Sequence, residues 1–371
     1  MSFSEPDTDI LVPAFDVRAL ARRAAVPAAV AAAAAAAIVV AGGPLHAFAH
    51  ALRRALDADP RWVIGGAMFE LLSFAGYVAL FWMVGSRASK RLGLSESTQV
   101  TLGGAAATRL LPTAGVGGAA VTLWSLRRSG MGAREATRTL LGFLIVLYSV
   151  FLGAIATSGA LISLGIAPGD GPLALSAIPA AAAALGMAGA LALGARHARG
   201  SNRPGRLGDA ADVFGGAVRD AIGHVRSADP RLLGALAWWT FDASVLWAML
   251  HAFGAPPPFA VVVLAYFVGQ VGNTIPIPGA VSGGIVGVLV AFAVPADLAL
   301  VSVLAYRAIA IWLPAPIGLV ALGALRRTMA RWSAEDAVAE VETQDVAPAV
   351  QSQAPVARAP RPCAEPALLA A

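Results

Sequence analysis

The chain has 371 residues, 58% of them hydrophobic and only 13% charged, with a formal net charge of +5 and a mean hydropathy of +0.71. A water-soluble domain carries about 25% charged residues, so that class is excluded. Several apolar runs exceed the roughly 18–20 residues that cross a bilayer. An outer-membrane barrel, built from short alternating segments, is excluded as well, and a polytopic helical membrane protein of the all-α class remains.

The pI near 10.1 does not mark a nucleic-acid binder. The basic residues cluster in short loops between apolar runs, which is the positive-inside pattern of membrane proteins. Cys363 is the sole cysteine, so no intrachain disulfide can form. His46, His50, His197, His224 and His251 are not read as a metal-ligand set. No phosphate loop, nucleophile elbow or zinc-binding helix is present. No metal, no cofactor and no catalytic constellation is therefore expected.

Residues 1–23 form a polar N-terminal tail ending in Arg18, Arg22 and Arg23, and an alanine-rich first span follows to about Gly43. A signal peptide ending near Ala47 and Ala49 is the rival reading. The acidic lead of the tail argues against it, because a signal peptide opens with a positive n-region. A second span covers 62–85 with Glu70 inside it, and Arg87, Lys90 and Arg91 place its end in the cytoplasm. Residues 98–126 then hold Arg109, Pro112, Gly115, Gly117 and Gly118 within a membrane-length apolar stretch. A broken backbone survives in hydrocarbon only when protein or a wet cavity surrounds it. Basic loops flank both ends of this stretch, so it reads as a re-entrant hairpin broken near Pro112.

Spans at 138–165 and 173–195 follow, joined by an external loop that holds no cation. Residues 196–231 carry seven arginines and read as a cytoplasmic loop. The span at 232–253 contains Asp242. Residues 259–294 repeat the broken pattern with Gln270, Asn273, Pro276, Pro278, Gly279, Gly283 and Gly284, now between turns free of cations. The span at 298–325 carries Arg307 and ends at Arg326 and Arg327. The tail at 332–371 is rich in Ala, Pro and Glu and reads as disordered. In all, about seven full spans and two re-entrant broken hairpins are expected, with both termini cytoplasmic.

Two halves, 62–165 and 231–325, correspond. Phe69-Glu70 matches Phe241-Asp242, and each pair is followed by a hairpin with Pro-x-x-Gly and a downstream Gly-Gly. One half starts outside and the other inside, which makes the repeat inverted, as in many transporters with a midplane site. Glu70, Arg109, Asp242 and Arg307 are the intramembrane charges. Three of them lie roughly 12–16 Å along a helix from its nearer end, near the middle of a core about 30 Å thick. Each unpaired charge there costs at least about 2.5–3.5 kcal/mol, so mutual pairing is expected. The plain alternative is structural ion pairs. The functional one is a head-group site, where arginine forks grip phosphate and glycines admit close backbone N–H groups. Tight helix packing is the alternative for the glycines, as in Gly283-x-x-x-Gly287. Gln270 and Asn273, one turn apart, can add hydrogen bonds. Tyr148 and Tyr306 read as packing residues, and Glu135 as a helix N-terminal carboxylate.

Residues 112–118 with Leu123-Trp124-Ser125-Leu126-Arg127-Arg128-Ser129-Gly130-Met131, and Ile275-Pro276-Ile277-Pro278-Gly279 with Ala305-Tyr306-Arg307 and Trp312-Leu313-Pro314, resemble the lysylphosphatidylglycerol synthase transmembrane (flippase-like) family over roughly residues 60–325. The resemblance implies a flippase-like helical membrane domain over residues 24–331 with two re-entrant hairpins, in a family associated with moving aminoacylated phospholipid between leaflets. It implies that Arg109, the 112–118 loop, the 276–284 loop and Arg307 line a head-group path. The chain departs from the family pattern at Pro112-Thr113-Ala114 and Pro278-Gly279-Ala280, and in the apolar run 285–290, where relatives often carry a glutamate. Only about 40 residues follow Arg331, so the soluble aminoacyltransferase domain, and lipid aminoacylation with it, is not expected.

The expected function is binding and translocation of a phosphate-bearing lipid, a phospholipid or a polyprenyl-phosphate-linked sugar, across a bacterial inner membrane. Transport would be passive or ion-coupled, with Glu70 or Asp242 carrying a proton. The alternative is a non-transporting membrane partner of a lipid-linked glycosyltransferase or another envelope enzyme. The expected partners are membrane lipids, an envelope-biosynthesis enzyme or a second copy of the chain, and not nucleic acid.

Overall fold

A computed structural model describes residues 58–110, 116–169, 171–198, 206–274 and 279–351, and among them there are helices and no strands. Asp59 opens the first helix, α1 (Pro60–Ala88): its carboxylate accepts from the Arg61 N–H at 2.9 Å, and Pro60 takes the first helical position, where a missing N–H costs nothing. Large apolar residues on α1, among them Ile64, Met68, Leu71 and Leu72, are exposed, while Gly66, Glu70 and Ser73 are buried. Such an arrangement suits a helix whose outer face meets lipid and whose inner face meets protein.

The remaining helices are α2 (Leu94–Leu110), α3 (Val116–Arg128), α4 (Ala133–Ser163), α5 (Leu173–Ala198), α6 (Arg206–Arg226), α7 (Leu233–Phe253), α8 (Phe259–Gln270), α9 (Ala280–Ala291), α10 (Ala296–Trp312) and α11 (Pro314–Gln351). Short 3₁₀ turns at Pro230–Leu232 and Val271–Thr274 precede α7 and follow α8. Five helical stretches are long and apolar enough to cross a membrane: α1, α4, most of α5, α7 with its preceding turn, and the run from α10 into α11. The chain is thus a polytopic helical membrane protein. The expected first span lies outside the described residues.

The most extensive interface joins α1 to α7. These helices cross where Gly76 meets Gly234. A Cβ on Gly76 would stand 2.7 Å from the Ala237 Cβ and 2.8 Å from the Gly234 carbonyl oxygen, so the crossing admits no side chain there. The Trp239 indole on α7 donates to the Leu147 carbonyl on α4 at 2.8 Å, which ties the next helix in.

Each expected hairpin falls on two short helices that pack side by side. A Cβ on Gly118 in α3 would come within 2.8 Å of the Gly104 carbonyl oxygen in α2, and one on Gly269 in α8 within 2.7 Å of the Ile285 backbone N in α9. At ~1.5 Å per residue, α2 is about 26 Å long and α9 about 18 Å, both shorter than a ~30 Å core. The breaks themselves, at 111–115 and 275–278, lie outside the described residues.

Three segments differ from the sequence reading. Residues 206–226, expected within a loop, form the amphipathic helix α6. Its Gly215, Gly216, Ala217, Val218 and Ala221 are buried while its charged residues face outward. The expected span at 298–325 lies within the run from α10 into α11, with a one-residue break at Leu313, where Pro314 cannot donate a backbone hydrogen bond. The tail expected to be disordered from 332 is helical as far as Gln351. The helices up to Arg326 belong to one compact unit and residues 327–371 to a second. Within the second, Arg331 and Glu335 pair at 3.7 Å across one exposed helical turn.

Candidate functional site

Asp242 sits in the middle of α7 with 3% of its surface exposed. One carboxylate oxygen, Oδ2, accepts from two phenols, the Tyr266 hydroxyl of α8 and, at 3.3 Å, the Tyr306 hydroxyl of α10. Tyr306 in turn accepts from Gln270 Nε2 at 2.9 Å, and Gln270 Oε1 accepts from Asn273 Nδ2 at 2.7 Å. The donors all point inward, so Asn273 to Gln270 to Tyr306 to Asp242 forms a directed chain. It begins at an exposed residue beside the second hairpin break and ends at a buried carboxylate. The other oxygen, Asp242 Oδ1, is buried and has no hydrogen bond among the described residues.

Glu70 is fully buried on α1 and closes one end of a cleft of about 440 Å³ lined by Phe74, Trp82, Leu102 and Pro314, otherwise almost entirely apolar. The Phe69 and Phe241 rings, each one residue before its carboxylate, stack with centroids 6.0 Å apart and planes 18° from parallel. The stack sets the two carboxylate-bearing turns of α1 and α7 side by side.

Of the remaining expected site residues, Arg307 follows Tyr306 on α10, is half-buried, and forms no ion pair among the described residues. Of the mutual pairing expected among Glu70, Arg109, Asp242 and Arg307, the described residues give Arg307 no carboxylate partner and give Asp242 two phenols. Arg109 is the penultimate residue of α2, and its side chain, like Pro112, Gly115, Pro276 and Pro278, lies outside the described residues. Gly117 and Gly118 open α3. Gly279 has φ +84°, left-handed backbone that glycine adopts without strain, directly before α9. Gly284 packs on Gly269, whereas a Cβ on Gly283 or Gly287 would meet nothing within 4 Å. Among the described residues, nothing packs on the Gly283-x-x-x-Gly287 pair. Tyr306, read from the sequence as a packing residue, is a member of the polar chain. Tyr266 was not singled out at all, although it stands one turn before Gln270, a spacing that puts both on one helix face.

A second charged cluster lies where α1 ends and α7 begins. Asp229 accepts from Arg231 at Nε (3.0 Å), Nη2 (2.8 Å) and the backbone N–H (3.0 Å), and from Arg87 Nη2 at 3.1 Å. These hydrogen bonds, led by the Arg231 side chain, hold its carboxyl down to about 2. Arg87 Nη1 also meets His224 Nδ1 at 3.0 Å, and since a guanidinium only donates, Nδ1 accepts. Burial, and then the charge of Arg87, lower the His224 pKa.

No curated protein matches the chain. A family model does match, over residues 21–318, and so includes both carboxylate helices, both hairpins and α10 with Tyr306 and Arg307. The chain belongs to the family described as the lysylphosphatidylglycerol synthase TM region, and is a multi-pass membrane protein of lipid-related function.

Proposed function

We propose that the chain binds a phosphate-bearing lipid, a phospholipid or a polyprenyl-phosphate-linked one, and moves its head group between the leaflets of a bacterial inner membrane. The observation that carries this reading is the directed chain from exposed Asn273 to buried Asp242. A polar track beside a broken hairpin, ending at the interior of a membrane bundle, gives a head group somewhere to go that is neither water nor hydrocarbon. The apolar cleft beside Glu70 suits acyl or prenyl chains, and Arg109 and Arg307 are assigned to the phosphate. No catalytic step is ascribed to the chain.

The two halves act as an inverted repeat in this reading. Shifting by 172 positions (242 − 70) turns Phe69 into Phe241. The same shift relates the contact of Gly66 with Met249 to that of Tyr77 with Trp238, and the contact of Gly66 with Val245 to the hydrogen bond from Ser73 to the Trp238 carbonyl. Because α1 and α7 run antiparallel, a twofold axis through the Phe69–Phe241 stack would lie in the membrane plane, as alternating access between repeats needs. Both ends of the transmembrane region are then cytoplasmic.

The test is reconstitution of the purified chain into vesicles holding a fluorescent phospholipid in both leaflets, followed by chemical quenching from outside. The reading requires a quenchable fraction above one half that falls when Arg307→Ala or Tyr306→Phe is introduced into folded protein. A fraction fixed at one half, together with co-purification of a lipid-linked glycosyltransferase, would favour a docking role instead. The solvated outer face of α6 is the observation that keeps that second reading in play.

A further inference from the structure

A cleft of about 350 Å³ opens between the last turn of α1, the start of α4 and the outer face of α6, with Arg87, Arg138, Arg219, Asp220 and His224 on its walls. It shares no residue with the chain around Asp242 or with either hairpin. Asp220 is taken in a fork by Arg138, Nε to Oδ2 at 2.5 Å and Nη2 to Oδ1 at 2.6 Å. Asp229, at the rim beside Arg87, is taken by Arg231. Four guanidiniums (87, 138, 219 and 231) therefore face two carboxylates, leaving a surplus of two positive charges while His224 is neutral. Arg219 is exposed and forms no ion pair or side-chain hydrogen bond among the described residues. Arg138 keeps Nη1 unused by Asp220, and Thr139 lines the same cleft. A guanidinium donates through five N–H groups and accepts through none, so these groups complement an anion with several oxygens.

Cations on this side of the membrane follow from topology alone; their convergence from three helices on one cavity does not. The cavity stays open because Gly142 and Gly223 form part of its wall, and a Cβ on Gly223 would meet nothing within 4 Å. Its size falls at the small end of ligand pockets, roughly 300–1,000 Å³, enough for a head group but not for a whole lipid. Arg87 is the penultimate residue of a membrane-spanning helix and Arg138 lies in the second turn of another. The opening thus stands at the level of lipid phosphates, where basic pockets between helices bind anionic head groups.

We propose that this cleft is a second, separate binding site for a phosphoryl anion, presented by an anionic phospholipid of the adjacent leaflet or by free phosphate, and gripped by Arg219, Arg138 and Thr139. The test is binding of short-chain phosphatidylglycerol, short-chain phosphatidylcholine and inorganic phosphate to the full chain in uncharged detergent, read by native mass spectrometry and by thermal shift. Phosphatidylglycerol is expected to bind about tenfold more tightly than phosphatidylcholine. Arg219→Gln removes the uncommitted cation and Gly223→Leu fills the cavity while keeping every charge, and each should lower that affinity several-fold without lowering the melting temperature of the lipid-free protein. Phosphate that competes at a comparable concentration would identify a soluble phosphoryl anion as the ligand; phosphate that fails to compete would identify the lipid. Equal binding of the two lipids, or unchanged phosphatidylglycerol binding in both variants, would overturn the proposal. Vesicle transport plays no part in these measurements, so their outcome is independent of the translocation reading.

Discussion

Asp229 and Asp242 stand at the head and in the middle of the same helical segment, and the protein treats their charges in opposite ways. Asp229 lies at the membrane boundary and is gripped by two guanidiniums and a backbone N–H. Asp242 is buried and meets only neutral donors, two phenols, one of which is backed by an amide pair. Full counter-charges work where water shares the solvation. In the interior the desolvation of both ions can exceed their attraction, and several weaker dipoles spread the charge without a second ion to bury. The comparison shows that, among the described residues, Asp242 is held by phenols, where the count of acids and bases alone would suggest a counter-ion.

Removing Asp242 should break the comparison most severely. Asp242→Ala leaves the Tyr266 and Tyr306 hydroxyls buried around a void, and each unsatisfied group costs about 1–3 kcal/mol. The melting temperature in detergent should fall sharply and lipid movement should cease. Asp229→Ala leaves Arg87 and Arg231 in contact with water, so its fall should be small and should shrink further in high salt. Equal losses for the two variants would show that burial does not decide between them.

Tyr306→Phe should come next. The variant keeps the ring and deletes one hydroxyl, so Gln270 Nε2 loses its acceptor and Asp242 loses one donor, at a cost of about 1–3 kcal/mol. Because the chain is directed, the loss should spread outward: hydrogen exchange at Asn273 and Thr274 should rise in Tyr306→Phe and not in Tyr148→Phe. A variant with unaltered exchange at the hairpin break would show that the chain holds no tension between Asp242 and the hairpin.

The class of the fold was legible in the sequence, because long apolar runs, basic loops and matched Gly/Pro breaks report directly on a bilayer. The acids were legible too, since a carboxylate in an apolar run stands out. What solvates them was not. A tyrosine in an apolar helix reads as packing, and only the tertiary arrangement of α7, α8 and α10 brings Tyr266 and Tyr306 onto one oxygen. Aligning the halves on Pro112 and Pro276 sets Leu102 opposite Tyr266 and Ala106 opposite Gln270. Leu102 lines the apolar cleft beside Glu70, so the same hairpin position is polar in one half and apolar in the other. The helix at 206–226 is hard to read because its buried residues are mainly glycine, alanine and valine, whose periodicity is faint beside the seven arginines of 196–231.

The smallest expected effect separates His224 from Asp229 by pH. The folded-state pKa of His224 lies below its ordinary value near ~6.5, first through burial and then through Arg87, with Asp220 and Asp229 opposing. A group held neutral by the fold contributes stability that is present above its unfolded pKa and is lost as pH falls below that value. Protonation also ends the acceptance of the Arg87 N–H by Nδ1. Asp229 behaves differently: its stabilisation is present above its unfolded value of ~3.9 and is lost only as pH falls through about 2. Between roughly pH 7 and 5, acid should therefore loosen the corner through His224 while Asp229 stays ionised. The melting temperature should drop modestly over this range, and the drop should be shallower in His224→Gln but not in Asp229→Asn, which removes a charge that opposes the shift. A His224→Gln profile parallel to that of the unaltered chain would mean that the imidazole is solvated alike in the folded and unfolded states, and that the acid response of the corner comes from another group.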